Sequence, residues 1–97
     1  MASSLKTAEW SVYLIRCGDG TFYTGIAVDV QRRFQSHCRG RGARYTRGRG
    51  PLQLCWWTGP LTHGEALKAE RRIKRWPHAR KAALVDAQAQ GGEPSHG

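Results

Sequence analysis

The sequence predicts a small α+β domain whose elements follow the order β-β-α-β-α-α. Three observations carry this prediction. Two runs of β-forming residues flank the turn residues 18–20, Gly-Asp-Gly, which is typical of a hairpin. Asp29 and Thr62 stand where helix-capping residues are expected. Between these caps, residues 51–58 form a third β-rich run that begins with a proline, where a missing N–H donor is tolerated.

The length of the first turn decides where two tyrosines point. We expect strands at residues 10–17 and 21–27. A two-residue turn would place Tyr13 and Tyr23 on opposite faces of the sheet. A three-residue turn pairs Tyr13 with Gly25, so that both tyrosines share a face and Gly25 leaves space opposite Tyr13. The sequence leaves both turn lengths open.

The helices and termini follow from local signals. A helix is predicted from Asp29 to about residue 38, followed by a loop at residues 39–50 with five arginines. Gly59 and Pro60 predict a turn, Thr62 with Glu65 predicts a capping box for a helix to about residue 75, and Pro77 opens a last helix to about residue 87. The domain is therefore expected at residues 9–87, with a flexible leader at 1–8 and a disordered tail at 88–97.

Composition points to a polyanionic partner. Sixteen Lys and Arg against seven Asp and Glu give 97 residues a net charge of +9, and nucleic acid is a better candidate than an anionic membrane surface. Charge alone cannot distinguish DNA from RNA. Three scattered cysteines without a Cys-x-x-Cys pair argue against a disulfide framework or zinc ribbon. With no apolar export segment or membrane-spanning run, a cytoplasmic setting without membrane contact is expected.

Several side chains are candidates for chemistry. Glu70 lies among Ala66, Leu67 and Ile73 on one face of its helix, where a carboxylate is costly without a cation or donors. The alternative is a rim position paired with Arg33 or Lys74. Arg33 and His37 share a helix face at i, i+4, which is also consistent with a solvated basic surface. Tyr13 and Tyr23, in mid-strand, are most simply structural on spacing alone.

The arginine-rich loop is a candidate phosphate contact, in which Tyr45 could stack on a base. The predicted nucleic-acid contacts are Arg44, Tyr45, Arg47, Arg49 and Lys74. A loop that is merely flexible and solvated is the alternative. Trp56 and Trp57 alternate faces of the third strand, so that one is expected in the core and the other could be exposed.

The first two predicted strands carry the triplets Val12-Tyr13-Leu14 and Tyr23-Thr24-Gly25. In these two triplets the sequence resembles the GIY-YIG nuclease superfamily, in its small stand-alone branch. The resemblance spans residues 10–85, and five elements in order make it specific. The other matching segments are the first helix at 29–37, the loop at 42–49 and the metal-site helix at 65–74.

The resemblance implies a three-stranded antiparallel sheet flanked by helices, with Tyr13, Tyr23, Arg33, His37 and Glu70 in one site. It implies that Glu70 holds one divalent cation, Mg²⁺ or Mn²⁺, at the scissile phosphate of DNA. Arg33 would brace the phosphate, and Tyr13 would position or deprotonate the attacking water. Tyr23 and His37 would orient water or pass a proton.

Three functions are therefore considered. The first is a metal-dependent nuclease that acts on DNA, structured or single-stranded, in repair or processing. The second is a non-catalytic nucleic-acid-binding module, because many relatives carry an Asn beyond the metal-site helix and this chain contains no Asn. The third is an interaction subunit that docks through Trp56 or Trp57.

Overall fold

The computed structural model describes residues 8–90, which form one antiparallel sheet and three α-helices. The strand order is β2-β1-β3, so the first strand is central. The predicted α+β class and element order are confirmed. The elements are β1 (Trp10–Arg16), β2 (Phe22–Ala27), α1 (Val30–Cys38), β3 (Gln53–Leu61), α2 (His63–Lys74) and α3 (His78–Gln90), with a short 3-10 turn at Arg44–Thr46.

The hairpin between β1 and β2 has the three-residue turn. The Cys17 N–H donates to the Thr21 carbonyl at 2.8 Å, and Gly20 closes the turn with a φ of 87°. Tyr13 consequently pairs with Gly25, and Ile15 pairs with Tyr23. Both tyrosines therefore share one face, as the three-residue alternative predicts.

The predicted turn at Gly59-Pro60 is wrong, because β3 continues through these residues to Leu61. Trp10 pairs with Leu61 and Val12 with Thr58, so that β3 has one more residue than β1 between these two pairs. Pro60 lies in this bulge, where its missing N–H leaves no gap in the hydrogen-bond ladder. A Cβ at Gly59 would lie 2.7 Å from the Trp10 carbonyl oxygen, which explains the glycine.

The helix starts are where the capping residues place them. The Asp29 side chain accepts a hydrogen bond from the Arg32 N–H at 3.0 Å. Thr62 and Glu65 form the complete capping box at the start of α2. Helix α3 continues to Gln90, three residues beyond its predicted end. The rest of the predicted tail, and the leader up to residue 7, lie outside the described residues.

Each face of the sheet carries its own core. Helices α2 and α3 cover the face formed by Val12, Leu14 and Phe22, while α1 covers the face formed by Tyr13 and Ile15. Trp56 packs on the first core and Trp57 on the second, and both are half-buried. Two half-buried tryptophans offer little support for the docking function considered above.

Among residues 8–90, no helix combines the length and apolar character needed to cross a membrane.

Candidate functional site

Tyr13 and His37 form a buried pair between the sheet and α1. Tyr13 projects from the middle of β1, and His37 lies in the last turn of α1. The Tyr13 Oη and His37 Nε2 atoms are 2.9 Å apart, and each residue is only 1% exposed. The pair therefore ties the first helix to the central strand by a polar contact inside the core.

The loop after α1 closes over the other side of the imidazole. The Ala43 N–H donates to His37 Nδ1 at 3.1 Å, and Thr46 Oγ1 lies 3.0 Å from the same nitrogen. A Cβ at Gly42 would overlap the ring, so only glycine lets the chain pass there without a shift. Sequence reasoning missed Gly42 and Thr46 as site residues, because a threonine and a glycine in a Gly/Arg loop give no local signal of a contact with His37.

An aromatic cluster continues from this pair towards the surface. The Tyr23 ring centroid lies 5.1 Å from that of His37 and 6.3 Å from that of Tyr13. On the outer side, Tyr45 stacks near Tyr23 with a centroid distance of 6.0 Å. Gly25 provides the space, since a Cβ there would lie 2.5 Å from the Tyr13 hydroxyl oxygen. The site is thus a row of rings that runs from buried Tyr13 to exposed Tyr45.

Arg33 brings a positive charge to the buried pair. It is exposed on α1, one turn before His37. Burial, followed by the neighbouring Arg33 charge, lowers the pKa of His37 to about 4. Burial also dominates in raising the pKa of Tyr13 to about 12, with Tyr23 and Glu70 acting in the same direction and Arg33 opposing them. At neutral pH both groups are therefore uncharged in the protein by itself.

Glu70 belongs to α2, which packs on the face of the sheet opposite to Tyr13. Its side chain is 17% exposed and lies 3.5 Å from Lys74 Nζ. Leu67 is only half-buried, whereas Ala66 and Ile73 are buried. Glu70 therefore lies at the rim of the apolar stripe with Lys74 as partner, the alternative considered above, and the predicted position in the middle of that stripe is wrong. Its charge still acts on Tyr13 by raising the pKa of that residue.

The loop residues divide into two groups. Arg44 and Arg47 are exposed. Arg49, in contrast, is already engaged: its guanidinium pairs with Asp19 at 2.6 Å and lies 4.2 Å from the centre of the Tyr45 ring. A phosphate would have to compete with Asp19 for Arg49, and a nucleobase would have to share Tyr45 with its present neighbours.

The catalytic-domain model of the GIY-YIG family matches residues 9–82, which is most of the chain. The chain belongs to the GIY-YIG family. That family is a nuclease superfamily, its domain implies nucleic-acid binding, and its members generally use a divalent metal. Residues 9–82 of this GIY-YIG domain contain all ten side chains predicted for catalysis, metal or nucleic acid.

Several curated proteins resemble this GIY-YIG domain. A UPF0213 protein of Nitratidesulfovibrio vulgaris is 51% identical over 76 residues, which cover 78% of this chain and 69% of that protein. A UPF0213 protein of Vibrio cholerae is 48% identical over 85 residues, covering 86% and 83%. The solution NMR structure of a UPF0213 protein from Bacillus halodurans aligns with a TM-score of 0.53 at 38% identity, covering 89% and 88% of the two chains. These relatives define a small stand-alone GIY-YIG group.

The donor set of the GIY-YIG domain allows a lightly held metal ion. Within residues 8–90, no group of three or more His, Cys, Asp or Glu side chains could enclose a metal. Mg²⁺, however, usually keeps several waters and is held by one or two carboxylates together with substrate phosphates. The Glu70 carboxylate, partly exposed and close enough to influence Tyr13, fits that kind of site.

Proposed function

We propose that this protein is a metal-dependent nuclease that hydrolyses phosphodiester bonds in DNA, structured or single-stranded, in repair or processing. The observation that carries the proposal is the environment of the Tyr13 hydroxyl. It is hydrogen-bonded to His37, and Arg33 and Glu70 both act on its pKa. Tyr23, Arg33, His37 and Glu70, from a second strand and two helices, thus act on one polar atom in an otherwise apolar core.

The metal ion, Mg²⁺ or Mn²⁺, would be held by Glu70. Bound there, it would supply positive charge to the phosphate and to the developing alkoxide. Lys74 also pairs with Glu70, so it stands beside the same phosphate position and can contribute to substrate binding.

Arg33 is placed to hold the scissile phosphate. Its guanidinium is exposed yet close enough to lower the pKa of Tyr13, so it can face substrate and site together. A planar guanidinium donates two parallel hydrogen bonds to a phosphate. Tyr13 would position the attacking water or, in its deprotonated form, accept a proton from it, while Tyr23 and His37 orient these groups.

The substrate strand would leave the site along the arginine-rich loop. Arg44 and Arg47 are exposed for phosphate contacts, and Tyr45 is 40% exposed beside Tyr23. Arg49 would join them by exchanging Asp19 for a phosphate. We favour DNA over RNA because of the family relationship. Cleavage of a set of different nucleic acids decides which substrate structure is used.

The test compares two matched substitutions on one helix. Wild type, Glu70→Gln and Glu65→Gln are incubated with labelled single-stranded, duplex and branched DNA, and with RNA, with and without Mg²⁺ or Mn²⁺. Glu65→Gln preserves a capping box and should cleave as wild type does. Glu70→Gln should lose metal-dependent cleavage. Wild type that cleaves none of these substrates with either metal would refute the nuclease proposal for this chain.

A non-catalytic nucleic-acid-binding module is the second candidate. It is favoured by the exposed Arg44 and Arg47 and by the absence of any Asn from the sequence. Binding would then survive Glu70→Gln, weaken steeply with salt, and fall when both arginines are replaced by glutamine. Metal-dependent cleavage that Glu70→Gln abolishes would reject this candidate.

A cytoplasmic setting remains part of the proposal. It rests on the three cysteines, Cys17, Cys38 and Cys55, whose number and spacing do not form a disulfide framework.

A further inference from the structure

One contact of the His37 ring decides which nitrogen carries its hydrogen. The Ala43 main-chain N–H points at Nδ1 from 3.1 Å. A main-chain N–H can only donate, so Nδ1 must accept through its lone pair. The hydrogen of the neutral ring is therefore on Nε2.

Thr46 helps to hold the Ala43 N–H against His37 Nδ1. Thr46 is only 2% exposed, and its hydroxyl oxygen lies 2.9 Å from the Ala43 carbonyl oxygen and 3.0 Å from His37 Nδ1. With a lone pair on Nδ1, the hydroxyl can donate its hydrogen to either of these two acceptors. A hydrogen on Nδ1 would face the Ala43 N–H, so that two donors would point at each other. The loop thus disfavours both the Nδ1–H tautomer and the doubly protonated ring.

The tautomer fixes the direction of the hydrogen bond to Tyr13. Since Nε2 carries the hydrogen, His37 donates and the Tyr13 oxygen accepts across the 2.9 Å contact. The hydrogen of the Tyr13 hydroxyl then points away from His37. Arg33 acts on the Tyr13 hydroxyl as well, in the direction that lowers its pKa.

We propose that residues 42–46 hold His37 as a hydrogen-bond donor to Tyr13, so that the Tyr13 proton is released on the substrate side, to solvent water, and is never passed to His37. Thr46 is the positioning residue of this arrangement. The consequence for cleavage rests on the proposed nuclease function, whereas the tautomer itself does not. The inference narrows the role of His37 from orienting water or passing a proton to orienting Tyr13.

The tautomer can be observed directly by NMR. In uniformly ¹⁵N-labelled protein at neutral pH, a long-range ¹H–¹⁵N correlation separates protonated from unprotonated ring nitrogens, and His37→Gln assigns the signals of His37. We expect a protonated Nε2 and an unprotonated Nδ1. A protonated Nδ1 overturns the proposal, whatever the protein cleaves.

Thr46→Val and Thr46→Ser test the positioning role. Valine keeps the shape of threonine and removes the hydroxyl, whereas serine keeps the hydroxyl. Thr46→Val should convert the His37 signals to a tautomer mixture and lower kcat by about 10-fold to 100-fold, the range seen when a metal-bound histidine loses the partner that orients it, with little change in KM. Thr46→Ser should restore both readouts. Identical His37 signals and kcat in wild type and Thr46→Val overturn the role of Thr46.

The two proposals fail separately. If wild type shows the Nε2–H tautomer but cleaves nothing, the nuclease function fails and the arrangement at His37 stands. If wild type cleaves with metal but carries the hydrogen on Nδ1, the reverse holds. Should Thr46→Val not fold, the wild-type spectrum still decides the tautomer, and Thr46→Ala, which also removes the hydroxyl, takes its place beside Thr46→Ser in testing the role of Thr46.

Discussion

Gly25→Ala should damage the site with a single methyl group. The new Cβ would lie 2.5 Å from the Tyr13 hydroxyl oxygen and 2.6 Å from Cζ, whereas ordinary contacts begin at 3.4 Å. The ring must therefore move by about 0.9 Å within a close-packed core. Tyr13 is 1% exposed and bonded to His37 at 2.9 Å, so this movement strains or breaks the hydrogen bond.

The expected size follows from two opposing effects. Overpacking a core lowers the stability of a protein by about 1–3 kcal/mol, while replacing a strand glycine by alanine raises it by about 0.5–1 kcal/mol. The two ranges combine to a net loss between about 0 and 2.5 kcal/mol, and its centre near 1 kcal/mol lowers the Tm of a domain of this size by about 4–8 °C. If the nuclease proposal holds, a displacement near 1 Å should also reduce the cleavage rate by about 100-fold.

Gly64→Ala is the matched control for this experiment. Gly64 lies in the first turn of α2, and a Cβ there meets no atom within 4 Å. This variant should match wild type in cleavage and be equally stable or slightly more so. Thermal unfolding and metal-dependent cleavage of the three proteins give the answer. Gly25→Ala that melts and cleaves like wild type would refute the geometry described for Tyr13.

Three further predictions concern pH, capping and charge. Folding lowers the pKa of His37 from 6.5 to about 4, so the unfolded chain binds a proton there at a higher pH than the folded chain does. As the pH falls from about 6.5 to 4, the free energy of unfolding of wild type should therefore decrease by up to about 3 kcal/mol relative to that of His37→Gln, as measured by urea unfolding. Parallel pH dependences for the two proteins would contradict this. Thr62→Ala removes the hydroxyl that accepts from the Glu65 N–H, and should cost about 1 kcal/mol in the same assay. Asp19→Asn releases Arg49 and should tighten DNA binding and steepen its salt dependence in fluorescence anisotropy; weaker binding would contradict the proposed role of Arg49.

The parts of the fold that sequence predicts are those with local causes. Asp29 and Thr62 start helices because a capping side chain bonds the backbone three residues ahead. The shared face of Tyr13 and Tyr23 needs only strand alternation and the turn length, and the turn length was the one unknown. Gly and Pro are favoured both in turns and in β-bulges, so the sequence alone predicts a turn at Gly59-Pro60. Pairing of β3 with β1 continues past these residues, which makes them part of a bulge.

The parts of the site that sequence does not predict are contacts between distant segments. Asp19 and Arg49 are 30 residues apart, so their ion pair depends on how the loop folds back on the hairpin. Gly42 and Thr46 both contact the His37 ring, but a glycine or a threonine in a loop gives no sequence signal of such a buried contact. Glu70 was placed in the middle of its stripe because helix spacing cannot show that Leu67 is only half-buried.

These contacts bear on how Tyr13 could act as a base. With a pKa of about 12, only about one molecule in 10⁵ has a deprotonated Tyr13 at neutral pH, so about 7 kcal/mol separates the common form from an active phenolate. A donated hydrogen bond from neutral His37 supplies about 1 kcal/mol of this difference. Arg33 is exposed, and water weakens its effect. Under the proposed function, the remaining stabilisation of the phenolate would come from the substrate-bound state, through a cation held by Glu70. If both proposals hold, His37 orients the Tyr13 hydroxyl, and the metal ion at Glu70 determines whether Tyr13 can ionise.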